Sequence, residues 1–270
     1  MTSIDTWIEH WAARRPDRTA IALPEANLSW AALHRRVQST AAVLNQAGVR
    51  RHDRVAVLAG DGSLPIEVLF AAARIGAAVV PLNTRLTAHE IGVILDDAEP
   101  LVIVADDVHE AAGRAATAAA RIAADLLVVH AELGVGQANG PIPDRVGSPE
   151  DVLIIAYTSG TTGQPKGAML EQAAIAANAT NVAAMMDLAS TDRVYNAMPQ
   201  FHVGGLNVHA TPTIRAGGVL VQARRFDPAA ALDELANQTE PRSEPWSLRC
   251  CMPFKRSRSG IRCSSATSER

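Results

Sequence analysis

Apolar residues in the first half of the chain follow two alternating patterns. Short apolar runs rich in valine, isoleucine and alanine predict buried strands, and longer segments with apolar residues every three to four positions predict amphipathic helices. The predicted strands span 19–23, 54–59, 77–80, 101–105 and 126–129. The predicted helices span 6–14, 30–47, 64–75, 88–96 and 108–124. This alternation favours an α/β fold with largely parallel sheets flanked by helices.

Residues that favour helix ends support these boundaries. Ser29 and Thr87 precede two of the predicted helices, where a side-chain oxygen can accept an unpaired backbone N–H. Gly48 and Gly76 follow two helix ends, where glycine adopts the left-handed conformation at no steric cost. Residues 132–149 are rich in glycine, proline and polar side chains, and we expect a surface loop there.

The alternation resumes around a second group of elements that enclose an unusual loop. The apolar run from Val152 to Tyr157 predicts a buried strand, and 169–186 predicts a helix. Between them lies a loop of small and hydroxylated residues. A strand, such a loop and a helix form an arrangement in which backbone N–H groups can converge on phosphate oxygens.

The residue types in this loop suit a polyphosphate ligand. Threonine and serine supply hydroxyl donors, glycine allows close approach of the backbone, and Lys166 adds a positive charge. The candidate phosphate-binding residues are Thr158, Ser159, Gly160, Thr161, Thr162, Gly163 and Lys166. Their spacing differs from the G-x-x-x-x-G-K-[ST] loop of nucleotide hydrolases, which disfavours that class. A flexible turn without a ligand is the structural alternative.

The segment from Tyr157 to Gly167 resembles the phosphate-binding signature of the adenylate-forming superfamily. That superfamily includes acyl-CoA synthetases, peptide-synthetase adenylation domains and firefly-type luciferases. Segments around Trp30, Gly48 and Gly76 resemble successive parts of the same N-terminal domains and extend the resemblance over roughly 1–238. The resemblance implies ATP and Mg²⁺ as cofactors, with Thr158 as a metal ligand, and CoA as a co-substrate.

A second motif follows a predicted strand at 194–197. The segment from Asn196 to Leu206 resembles the family's second signature, in which an aromatic–histidine pair and paired glycines form part of the acyl pocket wall. The implied substrate-binding residues are Phe201, His202, Gly204 and Gly205. The alternative for His202 is a histidine satisfied within a turn. His202 and His209 are too far apart for a helical zinc pair, and we expect the remaining histidines at solvated or capping positions.

The pattern stops after residue 238. We predict a partial AMP-binding N-terminal domain over 1–238 and an unpatterned tail over 239–270, rich in Arg, Ser, Cys and Pro, that forms no strand or helix. The loss of pattern favours an altered reading frame over a native disordered tail. All three cysteines lie in this tail without zinc or disulfide spacing. The family's C-terminal domain and catalytic lysine have no counterpart here, so no catalytic residue is assigned.

The composition limits the classes of partner that we expect for this protein. The chain has 270 residues, of which 48% are hydrophobic and 20% charged, and a formal net charge of −3. This is typical of a soluble globular protein and gives no reason to expect nucleic acid as a partner. No apolar run approaches the ~18 residues that span a bilayer, and no secretory leader is recognisable, so we expect a cytoplasmic location.

The resemblance implies descent from an ATP-dependent acyl-CoA synthetase. Such enzymes convert a carboxylic acid, ATP and CoA into acyl-CoA, AMP and pyrophosphate. We expect a small-molecule carboxylic acid as the ligand, with a fatty acid favoured, and a chain that is inactive alone. Whether it acts as an enzyme therefore stays open. The alternatives are a non-catalytic remnant or binding-only domain and a peptide-synthetase-type adenylation domain.

Overall fold

The computed structural model describes residues 3–129, 140–158 and 165–236, together with the backbone of three short strands after residue 247. The helices are α1 Thr6–Arg14, α2 Trp30–Gln46, α3 Leu64–Ile75, α4 Ala88–Ala98, α5 Glu110–Ala119, α6 Gln172–Met185, α7 Thr211–Ala216 and α8 Pro228–Ala236, with a π-helix at Gly204–Ala210. The strands are β1 Thr19–Ala22, β2 Asn27–Ser29, β3 Arg54–Leu58, β4 Ala78–Pro81, β5 Val102–Asp106, β6 Asp125–Val129, β7 Val152–Thr158, β8 Lys166–Glu171, β9 Arg193–Asn196, β10 Val219–Gln222, β11 Leu248–Arg249, β12 Lys255–Ser257 and β13 Gly260–Arg262.

Two larger sheets organise the described residues. The central sheet has the order β6-β5-β3-β4-β7-β8, in which every pair is parallel except β7 with β8. The second sheet has the order β11-β9-β10-β1-β2, in which only β1 with β2 is antiparallel. The predicted α/β fold with largely parallel sheets is therefore confirmed.

One apolar core joins the two sheets through α2 and α3. It includes Ile21 and Leu220 of the second sheet and Val55 of the central sheet, together with Trp30 and Phe70, which are both fully buried. The helix α3 is buried on nearly every side, as expected for a helix enclosed between layers. Because both sheets pack on the same core, the loops at their strand ends are held in fixed positions relative to one another.

The four residues predicted to mark helix ends, Ser29, Thr87, Gly48 and Gly76, are confirmed in that role. The Ser29 hydroxyl accepts from the Ala32 N–H at 3.2 Å. Thr87 and Glu90 form a reciprocal capping box at the start of α4. Gly48 and Gly76 have φ angles of +92° and +81° after α2 and α3.

The helix predicted over 169–186 begins only at Gln172, because residues 166–171 form β8. Met169 and Leu170 favour helices, but their backbone pairs with Ile155 and Ile154 of β7. The phosphate loop therefore joins two antiparallel strands, and the expected approach of a helix N-terminus to the loop is wrong. A second helix, predicted over 108–124, is shorter in the structure and spans only α5.

The expectation that no strand forms after residue 238 is also wrong for a few residues. The strand β11 pairs in parallel with β9, and β12 pairs with β13 as a hairpin. Pairing at the free edge of a sheet uses backbone groups and needs no side-chain pattern. The three cysteines lie outside the described residues, and the boundary at 238 and the altered reading frame stay predictions.

The predicted loop over 132–149 is described from residue 140 onward and forms no helix or strand there. The N–H groups of Val146 and Gly147 both donate to the Arg74 carbonyl, which ties the loop to the end of α3. Across the described part of the chain, no helix combines the length and apolar character needed to span a membrane.

Candidate functional site

A cleft of about 510 Å³ lies at the carboxyl ends of β4 and β7, between α4 and the two sequence motifs. Ligands of parallel α/β sheets commonly bind at such strand ends. The lining residues are Pro81, Asn83, Leu86, His89, Glu90, Val93, Ile94, Tyr157, Thr158, Pro165, Phe201 and His202. The cleft thus brings the start of the phosphate loop together with the second motif, although these segments lie far apart in sequence.

The structure describes both ends of the phosphate loop. Thr158 is the last residue of β7, Lys166 is the first of β8, and the two are directly paired across the strands. Both side chains are exposed, so the hydroxyl and the ammonium group are free to meet an anion. The loop's other candidates, Ser159, Gly160, Thr161, Thr162 and Gly163, lie outside the described residues.

Tyr157 anchors this strand end to α4. Its hydroxyl donates to Asp97 Oδ2 at 2.5 Å, and burial together with that neighbouring carboxylate raises the pKa of the phenol. The phenol therefore stays protonated and remains a donor. A Cβ at Gly167 would lie 2.7 Å from Ile155 Cγ2 and 3.2 Å from Tyr157 Cζ. Because Gly167 has no side chain, β8 can lie close to the Tyr157 ring on β7, and the Tyr157–Asp97 bond fixes that ring beside the cleft.

The second motif forms a turn between β9 and the π-helix. His202 is exposed, and its Nδ1 accepts from the Gly204 N–H at 3.0 Å. In the neutral ring the proton then sits on Nε2, which makes that nitrogen a donor. Phe201 lies beneath Arg85, whose guanidinium carbon is 6.0 Å from the ring centroid. The turn therefore offers an apolar ring and an N–H donor side by side.

The two glycines of the motif have a packing role. A Cβ at Gly205 would lie 2.3 Å from the Pro199 carbonyl oxygen and 2.6 Å from that of Met198. A Cβ at Gly204 would lie 2.5 Å from Met198 Cε. The Met198 side chain can move away from Gly204, but the atoms facing Gly205 are backbone, so only glycine at 205 allows the π-helix to begin so close behind the turn.

Some of the predicted site residues line the cleft, and others do not. Thr158, Phe201 and His202 line it, whereas Lys166, Gly204 and Gly205 are not among the described residues that do. Lys166 stands at the loop's far end, and the glycines stand behind the turn. Their predicted binding roles stay predictions.

Sequence reasoning missed the wall that α4 contributes. His89, Glu90, Val93 and Ile94 of α4 line the cleft, as does Leu86 just before the helix, yet the spacing of the helical residues indicates only an amphipathic helix. The capping box engages Glu90, whose pKa is lowered by the Thr87 N–H and hydroxyl. No local signal distinguishes a helix face that packs on a core from one that lines a cleft.

Sequence reasoning assigned His209 no role and excluded only a helical zinc pair with His202. His209 is buried in the π-helix, with its Nδ1 at 2.9 Å from Asn196 Oδ1. Burial lowers its pKa, so the ring is neutral at pH 7. The sequence separates His209 from the motif by only a few positions, but nothing local shows that it points into the core.

The described residues contain no cluster of three or more His, Cys, Asp or Glu side chains able to hold a metal. Mg²⁺ in nucleotide sites is held largely by phosphate oxygens and water, with one or two protein oxygens. The exposed Thr158 hydroxyl at the cleft fits the role of one such neutral oxygen.

Comparison with known proteins shows the family to which the chain belongs. The family model described as "AMP-binding enzyme" matches residues 8–242. The chain is 36% identical over 243 residues to indoleacetate–CoA ligase of Aromatoleum aromaticum, a match that covers 87% of this chain and 48% of the relative. It is 38% identical over 236 residues to feruloyl-CoA synthase of an Amycolatopsis species, covering 87% and 47% of the two chains.

Solved structures show the same likeness. The N-terminal domain of FACL13 from Mycobacterium tuberculosis superposes with a TM-score of 0.79 at 25% identity, covering 88% of this chain and 61% of that one. MatB from Rhodopseudomonas palustris superposes with a TM-score of 0.76 at 28% identity, covering 87% and 48%. The chain spans about half the length of the curated relatives it matches. It belongs to the family of AMP-binding enzymes, and the curated relatives named above are CoA ligases.

Proposed function

We propose that this chain is the N-terminal part of an ATP-dependent acid–CoA ligase and that its cleft receives the ATP phosphates and an organic acid. The supporting observation is that Thr158, Phe201 and His202 line one cleft. In the complete reaction a carboxylate attacks the α-phosphate of ATP and releases pyrophosphate. The CoA thiol then displaces AMP from the acyl-adenylate to give the thioester.

In this proposal, the residues at the two ends of the β7–β8 loop bind the phosphates. Thr158 supplies a hydroxyl as hydrogen-bond donor or Mg²⁺ ligand, and Lys166 supplies a positive charge at the paired position. The loop residues Ser159, Gly160, Thr161, Thr162 and Gly163 add backbone and hydroxyl donors. Bringing an anion onto a polyanion is opposed by charge repulsion, so these donors would stabilise the departing pyrophosphate.

The acid side of the cleft rests on the second motif and on α4. His202 presents its Nε2–H, and Phe201 with the aliphatic side chains of Val93 and Ile94 provides apolar surface. A donor beside an apolar wall suits a carboxylate with an apolar body. The relatives named above are ligases of indoleacetate and of feruloyl groups, both aromatic acids. We therefore extend the proposed ligand from fatty acids to aromatic acids.

We propose that these 270 residues bind ligands without completing the reaction. The resemblance implies a catalytic lysine and a mobile domain, and no residue of this chain is assigned to either role. ATP–pyrophosphate exchange that depends on an added acid is the direct assay for turnover. We expect none from the purified chain, and any acid-dependent exchange would refute this clause.

A non-catalytic remnant is the second candidate, and apolar exposure favours it. Met169 of the edge strand β8 and Met185 at the end of α6 are 68% and 78% exposed. Exposed apolar residues at an unpaired strand edge promote association. A remnant would melt without cooperativity and aggregate, whereas a binding domain would show one sharp transition as a monomer.

Calorimetric titration with Mg·pyrophosphate tests the phosphate site. We expect Lys166→Gln to weaken binding about tenfold, the effect of losing roughly 1.4 kcal/mol of charge interaction. The control is Arg114→Gln, which removes another exposed cation, on α5 and outside the lining of the cleft. Equal affinities in the parent and Lys166→Gln would contradict the site, as would equal losses in both variants.

A further inference from the structure

A buried amide lies beneath the turn that carries Phe201 and His202. Asn196, the last residue of β9, is fully buried. Its Oδ1 accepts from the Met198 N–H at 3.2 Å and lies 2.9 Å from His209 Nδ1. Its Nδ2 donates to the Gly205 carbonyl at 3.1 Å and to Gln222 Oε1 at 2.8 Å. One side chain thus holds both ends of the 198–205 turn.

The orientation of this amide follows from its neighbours. The Met198 N–H can only donate, and the Gly205 carbonyl can only accept, so a flipped amide would face two mismatched groups. Because Oδ1 is the acceptor, His209 Nδ1 must carry the proton and donate to it. The side chain of Gln222, on the adjacent strand β10, is oriented in the same way. Its Nε2 donates to the Asn196 backbone carbonyl at 3.2 Å, which leaves its Oε1 to accept from Asn196 Nδ2.

The closed turn in turn fixes His202. The N–H groups of Gly205 and Leu206 both donate to the His202 carbonyl, at 3.1 and 3.3 Å. The Gly204 N–H donates to His202 Nδ1 at 3.0 Å. These bonds require residues 204–206 to stay folded back over the turn, which is the arrangement that the Asn196–Gly205 bond holds. The Asn196 amide thus bonds the same segment that donates to the His202 ring.

An apolar side chain would be the ordinary occupant of this position. Asparagine is disfavoured in strands, and burying an amide is unfavourable unless every polar atom is hydrogen-bonded. Here each polar atom of the side chain has a partner, and two of the four partners belong to the turn backbone. The π-helix that begins at Gly204 is itself a rare element, which recurs at functional sites.

We propose that Asn196 is a positioning residue for the cleft. Its amide closes the 198–205 turn and so keeps the His202 ring in the arrangement in which Nδ1 accepts and Nε2–H is the donor presented to the ligand carboxylate. The last clause rests on the proposed function, whereas the dependence of the tautomer on Asn196 does not.

Long-range proton–nitrogen NMR of histidine-labelled protein tests this dependence, with His202 assigned through His202→Gln. In the parent chain we expect His202 to show a protonated Nε2 and a bare Nδ1. In Asn196→Ala the ratio of the two tautomers should fall at least threefold toward an even mixture. Asn196→Asp keeps the size and the acceptor but loses the donor to Gly205, so it should shift the ratio in the same direction.

Gln172→Ala is the matched control. Gln172 is an equally buried amide that bonds the Ser3 hydroxyl, the Ile4 N–H and the Ala73 carbonyl, far from the turn. It should lower the melting temperature without changing the His202 tautomer. An unchanged ratio in the folded Asn196 variants would overturn the proposal, as would an equal change in Gln172→Ala. If neither Asn196 variant folds, the residue is purely structural and the proposal also fails.

Titration with Mg·pyrophosphate and indole-3-acetate, followed at the same His202 signal, separates this inference from the proposed function. If the tautomer depends on Asn196 but neither ligand moves the signal, the proposed function fails and the inference stands. If the ligands bind and the tautomer ignores Asn196, only the inference fails.

Discussion

At the scale of single residues, Gly205 illustrates how strongly the turn constrains its sequence. A Cβ there would overlap the carbonyl oxygens of Pro199 and Met198 at 2.3 and 2.6 Å, and both are backbone atoms. Gly205→Ala should therefore force the π-helix away from the turn and destabilise the chain by about 3 kcal/mol. Urea denaturation followed by circular dichroism measures this loss.

Gly60→Ala is the control for this substitution. A Cβ at Gly60 would meet its nearest neighbour, Asp106 Oδ2, at an ordinary 3.5 Å. We expect a change within about 0.5 kcal/mol, as for substitutions that introduce no clash. If both alanines destabilised the chain equally, the close approach at Gly205 would not be the cause.

At the scale of elements, local signals predicted the capped helices and failed at strand β8. Ser29 and Thr87 cap α2 and α4 as their sequence positions indicate, because capping depends on atoms within three residues. The strand β8 was missed because Met169 and Leu170 have no strand pattern of their own. Their conformation is set by the neighbouring strand β7, a contact that sequence periodicity does not contain.

The Thr87 cap gives a prediction at this scale. Thr87→Ala removes the hydroxyl that accepts from the Glu90 N–H at 3.3 Å and should lower stability by about 1 kcal/mol. Because α4 forms one wall of the cleft, ligand affinity should weaken with it. Glu171→Ala is the control, since Glu171 precedes α6 without a side-chain cap bond. Equal losses from both changes would argue against the cap.

The lowered pKa of Glu90 adds a pH dependence to the same box. A carboxylate whose folded pKa lies below its unfolded value stabilises the fold above the unfolded pKa, and that stabilisation is lost as pH falls through the folded pKa. The difference in melting temperature between the parent and Glu90→Gln should therefore shrink below about pH 4. A difference that does not change with pH would contradict the ionic form of the box.

At the scale of the whole molecule, a contact between the two sheets holds the second motif in place. Asp61, in the loop after β3, accepts from the Gln200 N–H at 2.6 Å, and the Gly62 N–H donates to Gln200 Oε1 at 2.7 Å. Arg224 donates to the Asp61 carbonyl at 2.7 Å. The turn that carries His202 is thus tied to the sheet that carries Thr158.

Asp61 makes this contact sensitive to pH. Burial raises its pKa, so its contribution to stability is full below the unfolded pKa and is lost as pH rises through the folded pKa. Asp61→Asn keeps the acceptor without the charge. We expect it to melt above the parent at pH 7, with the gap closing toward about pH 4.

Asp61→Ala serves as the contrast. It leaves the buried Gln200 N–H without its acceptor, which should destabilise the chain by about 1–3 kcal/mol at every pH. If Asp61→Asn were instead the less stable variant at pH 7, the carboxylate charge itself would be holding the two sheets together.

The sequence predicted those parts of the site that belong to local motifs and missed those that depend on long-range contacts. Thr158, Phe201 and His202 are recognisable because each belongs to a short motif with few free positions. The wall from α4 and the tie between Asp61 and Gln200 depend on segments brought together by the fold. Such long-range contacts leave no local pattern, so only the structure reveals them.

The most direct test of the whole account is a crystal structure of this chain with Mg·ATP. We predict that the β- and γ-phosphates lie within hydrogen-bond distance, about 3 Å, of Thr158 Oγ1 and Lys166 Nζ, with the α-phosphate directed toward His202. Nucleotide bound outside this cleft, or phosphates that touch neither Thr158 nor Lys166, would contradict it.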